Sequence, residues 1–225
     1  MAEYLVQYYL EKEKLELAYE QLEALEGNSD DPLNTRMRMA LILIEKKEYE
    51  KAIAKLNEIL LQASDSDKIR FYLAAVYEET QQHAKAVENF LRIQPESQYY
   101  SESVVHAAYL LKQGKNISEA IKVVKEGLKN RQDIPQFFTI YASLLDDKNE
   151  HQEASKVLED AAVKFPDNLQ VQFFLGTIND RLGNKTKVIN QMRKVVELDP
   201  NHVQGLNYLA FTLAESSKDL DEAET

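Results

Sequence analysis

The chain of 225 residues carries 38 acidic and 27 basic side chains, a formal charge of −11, with no cysteine, no tryptophan, six glycines and five prolines. Absent cysteine excludes disulfides, thiolate zinc sites and thiol catalysis. The acidic balance argues against tracking a phosphate backbone or an anionic membrane surface, and the scarcity of glycine and proline argues against a turn-rich β-sandwich.

No stretch approaches the roughly 18 consecutive apolar residues of a membrane-crossing helix; the run Met39-Ala40-Leu41-Ile42-Leu43-Ile44 stops within two turns. The start, Met1-Ala2-Glu3-Tyr4-Leu5, has neither the basic nor the apolar region of a signal peptide. The expected setting is soluble, either cytoplasmic or, in a bacterium, periplasmic. A helical apolar pattern begins almost at Met1, so the chain is also readable as part of a longer protein.

From the N-terminus onward, two ladders of small residues recur every 34 positions. One runs Ala18, Ala52, Ala86, Ala120, Ala154, Val188; the other runs Val6, Ala40, Ala74, Ala108, Ala142, Gly176, Ala210. Larger apolar columns share the step, such as Leu22, Leu56, Phe90, Val124, Leu158, Met192. Within a unit the apolar spacings are three and four, the mark of an amphipathic helix. Each unit therefore predicts two helices, A and B. Helices that approach at about 8–10 Å exclude side chains larger than alanine at the crossing, which accounts for the small columns. The predicted units are 1–32, 33–66, 67–100, 101–134, 135–168, 169–202 and an incomplete 203–225.

The punctuation agrees with that division. Asp31-Pro32, Ile134-Pro135, Pro166 with Asn168 and Pro200 with Asn201 mark unit starts, the asparagines being candidate N-caps. Gly183-Asn184 and Gly114-Lys115-Asn116 read as the A-to-B turn, with glycine ending helix A.

These residues resemble the tetratricopeptide repeat family, a 34-residue helix–turn–helix with a small residue at position 8, alanine at position 20 and an apolar or aromatic residue at position 24. Position 8 here is Ala40, Ala74, Ala108, Ala142, Gly176 and Ala210; position 20 is Ala52, Ala86, Ala120 and Ala154. The resemblance covers essentially the whole chain. It implies an all-α, right-handed superhelical solenoid of stacked antiparallel helix pairs, about six pairs plus one terminal helix, forming a single domain over 1–225. Departures are few: the frequent position-4 aromatic occurs only as Phe138, and position 27 is alanine only at Ala161. Kinks or longer loops are expected near 27–31 and 95–101. The related pentatricopeptide family reads RNA and is usually basic, unlike this chain.

The resemblance also implies that helices A line a concave groove. The inward residues at positions 5 and 9 are Met37, Leu41, Phe71, Ala75, Val105, Tyr109, Thr139, Ser143, Phe173 and Thr177. An apolar groove fits an extended or helical segment of another protein, although the same side chains are readable as packing against the next helix. Acids follow at positions 12 and 13: Glu45, Glu78, Glu79, Asp146, Asp147, Asp180 and Glu215. They read as a solvated face or as steering for a basic partner. Lys112, Lys115, Lys122, Lys125, Lys129 and Arg131 outnumber Glu119 and Glu126 locally, which reads as a solvated outer helix or a docking patch for an acidic partner. Leu209, Ala210 and Leu213 of the last helix have no following helix and are candidates for pairing two chains.

Catalytic patterns are missing. His83, His106, His151 and His202 never fall at ligand spacing, and no phosphate loop, dinucleotide fingerprint or nucleophile elbow occurs. The expected function is a non-enzymatic scaffold or adaptor for a protein partner, with no cofactor, no metal, no nucleic acid and no membrane insertion. The alternative is a self-associating structural module.

Overall fold

The computed structural model describes residues 2–27 and 29–216. Among them it forms an all-α solenoid of helix pairs with no strand. The chain divides into two compact units, Met1–Leu110 and Leu111–Thr225. The first holds α1 (Ala2–Glu11), α2 (Leu15–Glu26), α3 (Pro32–Glu45), α4 (Tyr49–Gln62), α5 (Asp67–Glu79), α6 (His83–Phe90) and most of α7 (Tyr100–Gln113). The second continues with α8 (Ile117–Asn130), α9 (Pro135–Asp147), α10 (His151–Lys164), α11 (Leu169–Arg181), α12 (Lys185–Leu198) and α13 (Val203–Ser216). From α1 to α6 and from α8 to α13, helices adjacent in sequence pack on one another, and α9 also packs directly on α11.

Helix starts follow local chemistry. The Asp31 side chain accepts from the Asn34 amide at 3.1 Å, with Pro32 opening the helix. Ser66 does the same for Ile69 at 3.5 Å and Asn168 for Val171 at 3.0 Å. Each satisfies an amide that has no partner inside the helix. Asn201 does not cap α13. Its neighbour His202 does, its Nδ1 accepting from the Gly205 amide at 2.9 Å.

The A-to-B turns repeat one backbone device. Glu13, Lys47, Gln81, Lys115, Asn149 and Gly183 have φ between 55° and 71° and stand 34 residues apart. Around each, two amides return to the helix end. Lys47 donates to Ile44 at 2.9 Å and Glu48 to Leu43 at 2.8 Å; Gly183 donates to Asp180 at 2.9 Å and Asn184 to Asn179 at 2.9 Å. This pairing is the Schellman closure. Glycine fills the left-handed position only at Gly183. At the other candidate, Gly114, it is the next residue, Lys115, that takes the positive φ.

The small ladders form the helix crossings. Ala18, Ala52, Ala86, Ala120, Ala154 and Val188 are all fully buried, as are Val6, Ala40, Ala74 and Ala142. A Cβ on Gly176 would collide with the Met192 side chain, and one on Gly205 would stand 2.6 Å from Val195 Cγ1. The longer loop expected near 95–101 is present, for α6 ends at Phe90 and α7 begins at Tyr100. Near 27–31, α2 ends at Glu26 and α3 begins at Pro32 behind the Asp31 cap.

The basic stretch around α8 is largely internally neutralised. Lys112 pairs with Asp147 at 2.6 Å, Lys122 with Glu119 at 2.8 Å and Lys129 with Glu126 at 3.3 Å, while Lys125 lies 5.3 Å from the Tyr141 ring centre. The solvated-helix reading accounts for it. Arg131 grips Asp133 through two contacts, Nε to Oδ1 at 2.8 Å and Nη2 to Oδ2 at 2.7 Å. Hydrogen bonding from that guanidinium holds the Asp133 carboxyl down from its ordinary 3.8 to about 2. A carboxyl lowered on folding stabilises the fold above its unfolded value and loses that contribution as pH falls through about 2. A carboxyl-carbon NMR titration is expected to place the Asp133 midpoint near 2, and Arg131→Ala to return it toward 3.8.

Candidate functional site

In the first unit the inward residues divide between packing and surface. Met37 is 3% exposed and belongs to the core. Leu41, Ala75 and Val105 are half-buried. Phe71 is also half-buried, stacked on Tyr99 with ring centres 5.0 Å apart and tilted against Phe90 at 5.8 Å and Tyr72 at 6.0 Å. It is therefore held by its neighbours. Tyr109, 55% exposed, is the openly presented aromatic of this set. Glu78 is taken by His106, Oε2 to Nδ1 at 2.8 Å, and the His106 ring stacks on Phe90 at 5.2 Å.

In the second unit three of the four inward residues converge. Ser143 of α9 and Phe173 and Thr177 of α11 line one cleft of about 380 Å³. Asp146, Phe174, Ile178, Asp180, Arg181 and Tyr208 complete its wall. The fourth, Thr139, is buried and spends its hydroxyl on the Gln136 carbonyl at 2.9 Å. The cleft lies where α9 and α11 are direct neighbours and Tyr208 of α13 reaches the Phe173 ring. Phe173 anchors the floor. Its ring contacts His202 at 5.0 Å, Tyr208 at 6.0 Å and Phe174 at 6.3 Å, and it packs on the core group Val188, Met192 and Val195. Thr177 donates its hydroxyl to the Phe174 carbonyl at 2.8 Å.

The polar rim is uneven. Asp146 Oδ1 lies 3.0 Å from Arg181 Nε, an ion pair within the wall, and 2.9 Å from His151 Nδ1. Asp147 is paired with Lys112, and Glu215 with Lys185 at 3.2 Å. The exposed Asp180 carboxylate has no ion pair or hydrogen bond among the described residues.

Phe174, Tyr208 and Arg181 were not among the predicted inward residues. Phe174 and Tyr208 stand 34 apart in one column with Tyr72, a bulky column one place after position 5. Arg181 falls at position 13, where the acids drew attention away from it.

The α13 candidates also divide. Leu209 packs against the Val188–Met192–Val195 group and Leu213 is half-buried. Ala210 is exposed, alone among the described position-8 residues, which are otherwise buried. Beside it Val203, Leu206 and Phe211 are 67%, 41% and 64% exposed. Among the described residues no group of three or more metal-binding side chains gathers, and no helix is long and apolar enough to cross a membrane.

Comparison with known proteins follows the same lines. The family model described as tetratricopeptide repeat matches residues 169–202, the span holding α11 and α12. A TPR repeat-containing protein of Pseudomonas aeruginosa is 21% identical over 158 residues, 70% of this chain. The chain spans only 27% of that relative's length. Among solved structures, YrrB, a TPR protein with an unusual peptide-binding site, is 15% identical with a TM-score of 0.59, covering 82% of this chain and 95% of its own. The C-terminal part of a TPR repeat-containing protein from Cytophaga hutchinsonii reaches a TM-score of 0.74 at 12% identity, covering 98% of this chain and 90% of its own. At these identities the structural likeness is one of fold.

Proposed function

Because the chain is a tetratricopeptide repeat protein, we propose that it works as a protein-interaction scaffold whose α9–α11–α13 cleft receives a peptide or short helical segment of a partner. The observation that carries this reading is the convergence of Ser143, Phe173 and Thr177 on one apolar-floored cleft. An aromatic floor with a polar rim is the arrangement that captures an apolar anchor and orients the chain around it. The acidic rim favours a basic segment. Proteins of this fold are in general scaffolds rather than enzymes, and we extend that to this chain. YrrB, which shares the fold, has a peptide-binding site.

The test uses a displayed library of random 12-residue peptides. Thr177→Arg places a long cation across the cleft while leaving the core group behind Phe173 untouched. The chain is expected to enrich binders, and the variant to lose them with its helical circular dichroism and melting temperature unchanged. Enrichment that survives Thr177→Arg, or no enrichment by the original chain, sinks the reading.

One observation favours a second mode. Ala210 occupies a column that elsewhere is sealed by a neighbouring helix, yet it is exposed beside Phe211. Self-association through this face of α13 accounts for that surface.

A further inference from the structure

We infer that the cleft selects a segment carrying a lysine or arginine directly beside its apolar anchor, with Asp180 as the acceptor for that cation. The inference rests on the cleft being the binding site and adds which residue reads which feature. Four acids stand at positions 12 and 13 of the second unit: Asp146, Asp147, Asp180 and Glu215. Three are already matched. Asp146 is paired with Arg181, Asp147 with Lys112 and Glu215 with Lys185. Only Asp180 remains without a cation among the described residues, and it lies on the wall of the cleft that holds Phe173 and Tyr208.

Arg181 explains why this charge stays available. It is the residue next to Asp180, yet its guanidinium turns to Asp146, 3.0 Å away. One wall carboxylate is thus cancelled and the adjacent one is left open. An apolar side chain seated against Phe173, Phe174 and Ile178 brings its neighbours along the partner backbone to the rim. A cation there meets an uncompensated carboxylate, whereas an acidic neighbour meets a like charge. The rim is solvated, so the gain lies mainly in selectivity. A single exposed ion pair accounts for about a three- to five-fold affinity difference.

The same 12-residue peptide library serves as probe for the original chain, Asp180→Asn, Asp180→Lys and Thr177→Arg. The expected result is enrichment of an apolar residue flanked by lysine or arginine. Asp180→Asn is expected to keep the apolar anchor, drop the basic preference and bind the enriched peptides three to five times more weakly. Asp180→Lys is expected to turn the preference toward aspartate or glutamate. Apolar enrichment with no basic preference, or a basic preference that outlives both Asp180 variants, overturns this assignment and leaves the cleft standing. Absent enrichment, or enrichment indifferent to Thr177→Arg, removes the cleft reading and this inference together.

Discussion

Phe90→Ala should be the most damaging single truncation in the first unit, costing about 3–5 kcal/mol. The ring is 2% exposed and lies between Phe71, at 5.8 Å, and His106, at 5.2 Å. It also belongs to the shortest B helix, α6, which has eight residues where α4, α8, α10 and α12 each have fourteen. A short helix offers few other buried side chains, here chiefly Ala86, so little else holds it when the ring is lost. The emptied space cannot close, because the Phe71–Tyr99 stack and the His106–Glu78 pair fix its walls. Urea unfolding followed by circular dichroism reads the loss as a lowered midpoint. Hydrogen exchange should show α6 and the loop after it opening first. Phe90→Leu, which keeps most of the volume, should cost less than about 1.5 kcal/mol. Equal effects from the two substitutions would mean that the ring is not the packing centre of this unit.

The left-handed turn column should yield the largest gain in stability. Glu13, Lys47 and Gln81 hold φ of 55°, 59° and 60° with side chains exposed to solvent. A non-glycine residue in this region costs roughly 1–2 kcal/mol against the right-handed basin. Glycine removes that strain but gives the unfolded chain more freedom, which returns part of the gain. The net expectation is about 0.5–1 kcal/mol per site, or roughly 1.5–3 kcal/mol for Glu13→Gly, Lys47→Gly and Gln81→Gly together, since they share no partners. Gly183→Val in the second unit tests the converse. Its φ is 71° with open space where a Cβ would go, so strain alone should cost about 2 kcal/mol. The check is the unfolding midpoint of both variants. A triple-glycine chain no more stable than the original would show that these turns are not strained.

Much of the architecture was legible because it is periodic. The 34-residue step, the small ladders and the apolar columns follow from two rules that act over a few residues, amphipathic helix spacing and the room available where helices cross. Ala52 or Ala142 must be small whatever lies elsewhere in the chain. The long loop after Phe90 was legible too, as a lapse in the pattern near Pro95. Turn chemistry was read less well. The closure needs one residue at positive φ, and glycine is the easiest but not the required choice, so Gly114 drew an assignment that belongs to Lys115. His202 was missed as a cap because its ring nitrogen takes a role usually given to asparagine or serine side chains.

Which inward residues face water was decided by tertiary contacts. Met37 and Phe71 occupy the same repeat position as Phe173, yet Met37 is core, Phe71 is stacked on Tyr99 and Phe173 floors a cleft. Tyr99 comes from a loop and Tyr208 from the next helix A, partners that no property of the repeat position itself announces. Charge behaves likewise. Asp146 and Asp180 look equivalent along the chain, yet Arg181, the immediate neighbour of Asp180, turns to Asp146 and leaves Asp180 open. Periodicity determines the helices and their crossings because those constraints are local and repeated. Exposure and free charge depend on single neighbours brought close from about a repeat away, and those neighbours differ from unit to unit.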